Sequence, residues 1–67
     1  MSKFPKRLKE IRIENKLSQV DLAKAINVTQ PAIARWEAGS QIPNIEVAIA
    51  LAKYFKVSTD YLLGLED

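Results

Sequence analysis

The stretch from Ser18 to Gly39 constrains the fold most, because it carries the start and stop signals of two short helices. Ser18 is a favoured N-cap residue, and Asp21 three positions later gives the first helix a capping-box-like start. Asn27 tolerates the left-handed conformation that ends a helix. Thr29 then caps a second helix, for which Gly39 is the expected end. The stretch therefore predicts two helices joined by a tight turn.

The second of these helices has an unusual outer face. Ile33 and Trp36 share its inner side, whereas the residues that point away are mostly small: Pro31, Ala34, Arg35 and Ala38. A solvated helix face is ordinarily rich in charged residues. A face of small residues with one Arg suits a helix that enters a narrow space.

The stretch and its flanks resemble the helix-turn-helix of the lambda-repressor and Cro family, also called the xenobiotic-response-element (XRE) family. The matching positions are Leu8, Arg12, Ser18-Gln19, Leu22-Ala23, Val28-Thr29, Ile33, Trp36-Glu37, Gly39 and Pro43. The resemblance runs from about Phe4 to Leu63. Two positions depart from it: Asn27 stands where the family commonly has Gly, and Pro31 stands where it usually has a polar residue.

Three more helices are expected around the motif. The first runs from about Pro5 to Asn15, with Leu8 and Ile11 in the core and Phe4 as a staple before it. A fourth, capped by Asn44 and running to about residue 55, is apolar nearly all round, which predicts a central core helix. A last helix at residues 59–63 is capped by Ser58 and stopped by Gly64.

These signals predict an all-α fold for residues 1–67, as one domain with its helix-turn-helix at about 18–39. The resemblance implies a compact five-helix lambda-repressor-like domain. With no Cys and no His, disulfides and the usual zinc sites are excluded, so folding rests on apolar packing. No apolar run is long enough to span a bilayer, and no signal peptide is recognisable, so a cytoplasmic protein is expected.

Charge is distributed unevenly along the chain. Residues 1–16 carry six Lys or Arg and two Glu, whereas residues 37–67 carry two Lys and five Asp or Glu. Such asymmetry is expected when one end of a domain faces a polyanion. A first helix that is simply solvated explains the same residues.

No catalytic machinery is recognisable. The chain has no His base, no Cys nucleophile and no glycine-rich phosphate loop, so neither an enzyme nor a cofactor is expected. Two function classes remain: a sequence-specific DNA-binding regulator of the repressor or Cro type, and a protein-interaction module or antitoxin on the same fold. The presence of Gln19, Gln30 and Arg35 together on the tips and outer face of the motif favours DNA.

In this type of motif the second helix lies in the major groove of double-stranded DNA. Gln30 can pair with adenine and Arg35 with guanine, while Ala32 and Ala34 can approach a thymine methyl group. The expected phosphate contacts lie at helix ends, in the loop after the motif and on the first helix. They are Ser18, Gln19, Thr29, Ser40, Gln41, Lys6 and Arg7.

Two further expectations concern packing and assembly. The resemblance implies a largely buried ion pair between Arg12 and Glu37. Because one recognition helix reads only a few base pairs, two copies are expected to bind a palindromic operator. The expected contact uses Tyr61, Leu63 and Leu65, as a homodimer that is weak in solution and completed on DNA. The alternative is a monomer that borrows a partner protein.

Overall fold

Five helices build the part of the chain that this computed structural model describes, residues 3–66. They are α1 (Phe4–Glu14), α2 (Gln19–Ala25), α3 (Gln30–Ala38), α4 (Ile45–Phe55) and α5 (Thr59–Leu63). The predicted all-α, five-helix fold is confirmed. Every helix in the described residues is too short or too polar to cross a bilayer.

Four of the helices begin at a side-chain cap, which explains why their starts are readable in the sequence. Ser18, Thr29, Asn44 and Ser58 each accept a hydrogen bond from the backbone N–H three residues on. Ser18 and Asp21 complete a reciprocal capping box, in which Asp21 donates its backbone N–H to Ser18 Oγ and Ser18 donates its backbone N–H to the Asp21 carboxylate. The hydrogen bond from the Ser18 backbone, followed by one from the Ser18 hydroxyl, lowers the pKa of the Asp21 carboxyl. Each such cap contributes about 1 kcal/mol to helix stability.

The helix ends use left-handed residues, as expected at Asn27, Gly39 and Gly64. Lys16 and Lys56 also adopt positive φ, 58° and 59°, although a side chain disfavours this conformation. At Gly64 glycine is required for a second reason, because a Cβ there would lie 2.7 Å from the Cβ of Lys3.

The core draws on all five helices. Its fully buried side chains are Phe4, Leu8, Leu22, Ile33, Leu51 and Leu62. Phe4 is the first residue of α1 rather than a staple before it, so the helix begins and ends one residue earlier than expected. Helix α3 packs against both α1 and α2, which positions its outer face relative to the rest of the domain.

Helix α4 is not the central core helix that its composition predicts. Ala48, Leu51 and Ala52 face the core, but Ile45 and Ile49 are 74% and 39% exposed. Its contacts are mainly with α5, and the opposite side is open to solvent. A small domain buries a smaller share of its surface than a large one, and none of residues 3–66 covers this side of α4.

Candidate nucleic-acid interface

The two helices of the motif are locked together by their short connection. Asn27 takes the left-handed conformation after α2, and Val28 donates its backbone N–H to the carbonyl of Ala23 at 2.9 Å. Thr29 then starts α3, with its Oγ1 accepting from the N–H of Ala32 at 3.3 Å. The first residue of α3, Gln30, is thereby brought next to the first residue of α2, Gln19.

A continuous hydrogen-bond network runs from the core of the domain to the tip of α3. Arg12 donates from Nε to Glu37 Oε2 at 2.6 Å and from Nη2 to Oε1 at 3.0 Å. Glu37 Oε1 also accepts from Gln19 Nε2 at 3.1 Å, and Gln19 Oε1 accepts from Gln30 Nε2 at 2.7 Å. The network thus joins α1, α2 and both ends of α3.

The ion pair at the base of this network is shielded from water. The side chains of Arg12 and Glu37 are 10% and 5% exposed, and the third guanidinium nitrogen of Arg12 donates to the carbonyl of Leu17 at 2.8 Å. The hydrogen bond with Glu37 raises the pKa of Arg12 against the opposing effect of burial. The pair with Glu37 therefore favours the charged form of Arg12 in the folded domain.

The outer face of α3 is exposed at Pro31, Arg35 and Ala38. Ala32 and Ala34, the two alanines expected at bases, are both half-buried, and Ala32 packs partly against the core. These residues form a narrow surface with one long cationic side chain.

The loop after α3 folds back onto the end of that helix. Arg35 donates from Nε to Gln41 Oε1 at 3.0 Å, which holds the guanidinium over the loop. Ser40 donates both its backbone N–H and its hydroxyl to the carbonyl of Arg35. Since a serine hydroxyl has one hydrogen, Ser40 can reach a phosphate only by releasing this bond, whereas the amide hydrogens of Gln41 stay available.

The two cations expected to contact phosphate from α1 have different surroundings. Lys6 is exposed. Arg7 is half-buried, donates to the carbonyls of Tyr61 and Glu66, and lies 4.2 Å from the centre of the Tyr61 ring. Arg7 therefore links α1 to the C-terminal segment by hydrogen bonds. It is not part of the hydrogen-bond network that runs from Arg12 to Gln30.

The residues expected at a dimer contact are unequally accessible. Tyr61 is half-buried beneath Arg7, and Leu63 packs against the core, whereas Leu65 is 71% exposed. More exposed apolar surface lies before and along α4, at Ile42, Ile45 and Ile49. The separation of Ile45 and Ile49 by four residues was a signal for this second face in the sequence.

Sequence reasoning placed Gln19 and Gln30 separately, at a phosphate and at a base, and missed that they touch. Their shared position as first residues of α2 and α3 was the available signal. Their contact depends on the turn geometry that carries α3 across α2, which no local pattern specifies.

Comparison with known proteins also identifies a helix-turn-helix in this chain. A helix-turn-helix family model matches residues 8–62. The chain is 36% identical over 64 residues to the HTH-type transcriptional activator BcrR of Enterococcus faecalis, covering 96% of this chain and 31% of that protein. It is 39% identical over 57 residues to Repressor protein C2 of Salmonella phage P22, covering 85% and 26%.

A third relative is similar in length. An uncharacterised HTH-type transcriptional regulator of Methanocaldococcus jannaschii is 34% identical over 61 residues, covering 91% of this chain and 92% of the relative. By contrast, this chain spans only about a third or less of the length of BcrR and of Repressor protein C2. The match over residues 8–62 confirms the resemblance noted in the sequence, and the chain belongs to the helix-turn-helix family.

Proposed function

We propose that the chain binds double-stranded DNA in a sequence-specific manner and serves as a transcription regulator, with α3 in the major groove. The observation that carries the proposal is the Gln19–Gln30 pair, which lies at the tips of the two motif helices and is held by the buried ion pair. Relatives named as an activator and as a repressor support the same class of function. The cytoplasm is the compartment that this function implies.

The chemistry left available on Gln30 matches an adenine edge. Its amide nitrogen carries two hydrogens, and one of them is donated to Gln19. The second hydrogen and the free Oε1 form the donor and acceptor pair that adenine N7 and N6–H require. The bond to Gln19 orients the Gln30 amide and uses one of its two hydrogens, which leaves the other hydrogen and Oε1 for a base.

Arg35 supplies the second base reader. Its Nε is occupied by Gln41, which leaves the terminal nitrogens to donate to O6 and N7 of guanine. Ala34 and Ala32 lie on the same helix and offer methyl groups to a thymine methyl. The small exposed residues Pro31 and Ala38 let the helix approach the groove closely.

Phosphate contacts position the domain without reading sequence. Thr29 uses its hydroxyl oxygen to accept a cap hydrogen bond, so its hydroxyl hydrogen remains for a phosphate. The Ser18 hydroxyl also donates to the Asp21 carboxylate, so it contacts a phosphate by exchanging that bond. The second amide hydrogen of Gln19, the amide of Gln41 and the ammonium group of Lys6 supply further donors. Ser40 joins this set when its hydroxyl leaves the Arg35 carbonyl, and Arg7 acts chiefly within the domain.

Two copies on a palindromic operator complete the proposal. One motif reads too few base pairs to find a site in a genome, and two-fold dimers of this motif read half-sites about 34–36 Å apart. Leu65, with parts of Tyr61 and Leu63, offers one small apolar contact near the C-terminal end.

Selection of bound duplexes from a random DNA pool tests the function directly. We expect enrichment of a two-fold symmetric sequence, and affinity that falls steeply as salt rises. A Gln30→Ala, Arg35→Ala double variant is the matched control, because it keeps the fold and most phosphate contacts but removes both base readers. Equal retention of all sequences by the unmodified chain would overturn the proposal.

A further inference from the structure

Helix α4 presents a face to solvent that no described residue covers. Ile45 and Ile49 are exposed one helical turn apart, and Ala50 is exposed beside them. Glu46 and Lys53 are also exposed and lie toward the two ends of the same side. These five residues are the α4 face.

The charges of the α4 face are placed symmetrically about its centre. Ile49 and Ala50 lie three and four residues after Glu46, and four and three residues before Lys53. When two such helices pack antiparallel about a two-fold axis between residues 49 and 50, Glu46 of each copy faces Lys53 of the other. A two-fold interface requires this reciprocity.

Neither charge has a partner in the part of the chain that the structure describes. Within residues 3–66, the side chains of Glu46 and Lys53 make no ion pair or hydrogen bond. At the centre of an antiparallel pair, Ile49 of one copy meets Ile49 of the other, while the small side chain of Ala50 allows close approach. Ile45 then lies beside the aliphatic stem of the opposing Lys53.

We propose that the α4 face binds a second copy of this chain, with the two helices antiparallel. Parallel packing is disfavoured because it would oppose like charges at both ends of the helix. One helix pair buries less than the roughly 1,600 Å² of a standard stable interface, so association is weak and depends on concentration. This self-association needs no DNA, and only its use on two half-sites rests on the proposed function.

Sedimentation of the chain without DNA measures the association directly, over about 10 μM to about 1 mM. We expect the mean mass to rise from that of the 7.5 kDa monomer toward twice that value and then level off. A constant monomer mass, or growth past the dimer, overturns the proposal. Neither result depends on whether the chain binds DNA.

A charge swap tests the pairing. Glu46→Lys and Lys53→Glu, made singly, turn two attractions into two repulsions, and each is expected to weaken association by about tenfold at low salt. The double variant restores opposite charges across the interface and should recover most of that loss. Both changes oppose the helix dipole, so recovery cannot come from a more stable helix. A double variant as weak as the single ones overturns the antiparallel pairing.

A hydrophobic control separates this face from others. Ile49→Asp puts two carboxylates together at the axis and should abolish association, while circular dichroism checks that the helices remain. Ile13 on α1 is 54% exposed, so Ile13→Asp is a matched change on another helix and should leave association unchanged. Loss of association in the Ile13 variant alone would overturn the assignment to α4.

Discussion

Gln30 donates a hydrogen bond from Nε2 to Oε1 of Gln19 at 2.7 Å, which joins the first residues of α3 and α2. Gln19 in turn donates to Glu37, the acid of the buried ion pair. The orientation of Gln30, the proposed base reader, thus depends through Gln19 on the buried carboxylate of Glu37. A side chain held in place before binding loses less conformational entropy when it binds.

From this arrangement we expect Gln19 to affect DNA binding in two ways. We expect Gln19→Ala to weaken binding to the selected site more than binding to random duplexes, because the change removes a phosphate donor and also releases Gln30. Dissociation constants for both duplexes at one salt concentration measure the ratio. Lys6→Ala is the control, since an exposed cation affects both duplexes equally. Equal losses for Gln19→Ala would limit Gln19 to a phosphate contact.

Arg35→Ala should cost about 1–3 kcal/mol on the selected site and relax the choice of one base pair. The guanidinium is exposed and held by Gln41, which leaves its terminal nitrogens for a guanine edge. Arg35→Lys is the control: it keeps the charge but loses the bidentate geometry. Selection from a random pool with each variant measures the effect, and an unchanged preferred sequence in Arg35→Ala would contradict base reading.

Glu37→Ala should destabilise the domain by about 3–5 kcal/mol, because it leaves the Arg12 cation desolvated without its partner. Replacing both residues by Met removes the charges together and should cost less. Denaturant unfolding of the three proteins gives the free energies. If the unfolding midpoint of Glu37→Ala is close to that of the unmodified chain, the ion pair contributes only as much stability as an exposed salt bridge, about 0–1 kcal/mol.

Lys56→Gly should stabilise the domain by about 0.5–1 kcal/mol. Lys56 ends α4 with φ at 59°, a conformation in which a side chain is strained and glycine is not. Lys9→Gly, in the exposed middle of α1, is the control and should destabilise by a similar amount. Thermal unfolding distinguishes the signs, and a lowered midpoint in both variants would contradict strain at Lys56.

Assembly on DNA depends on the phase between half-sites. Inserting roughly five base pairs into the centre of a palindromic site turns one half by about half a turn, so cooperative two-fold binding should be lost. Inserting roughly ten base pairs restores the phase and serves as the control. Binding titrations on the three sites measure the effect. Unchanged affinity after the shorter insertion would favour a monomer that uses a partner protein.

The starts of four of the five described helices were determined by the sequence itself, because their causes are local. Ser18, Thr29, Asn44 and Ser58 act on a backbone N–H only three residues away, so the cap is visible in the chain. The same holds for Gly39, whose left-handed conformation ends α3. The pairing of Arg12 with Glu37 was predicted from the family resemblance, because residue spacing alone does not indicate it.

Only the tertiary structure decided which side chains meet across helices. The contact of Gln30 with Gln19 depends on how the turn orients α3, and the capture of Arg7 by Tyr61 depends on where the C-terminal segment returns. The exposure of Ile45 depends on how much core the other helices can provide. A sequence pattern records the period of one helix, whereas these relationships depend on distances between segments far apart in the chain.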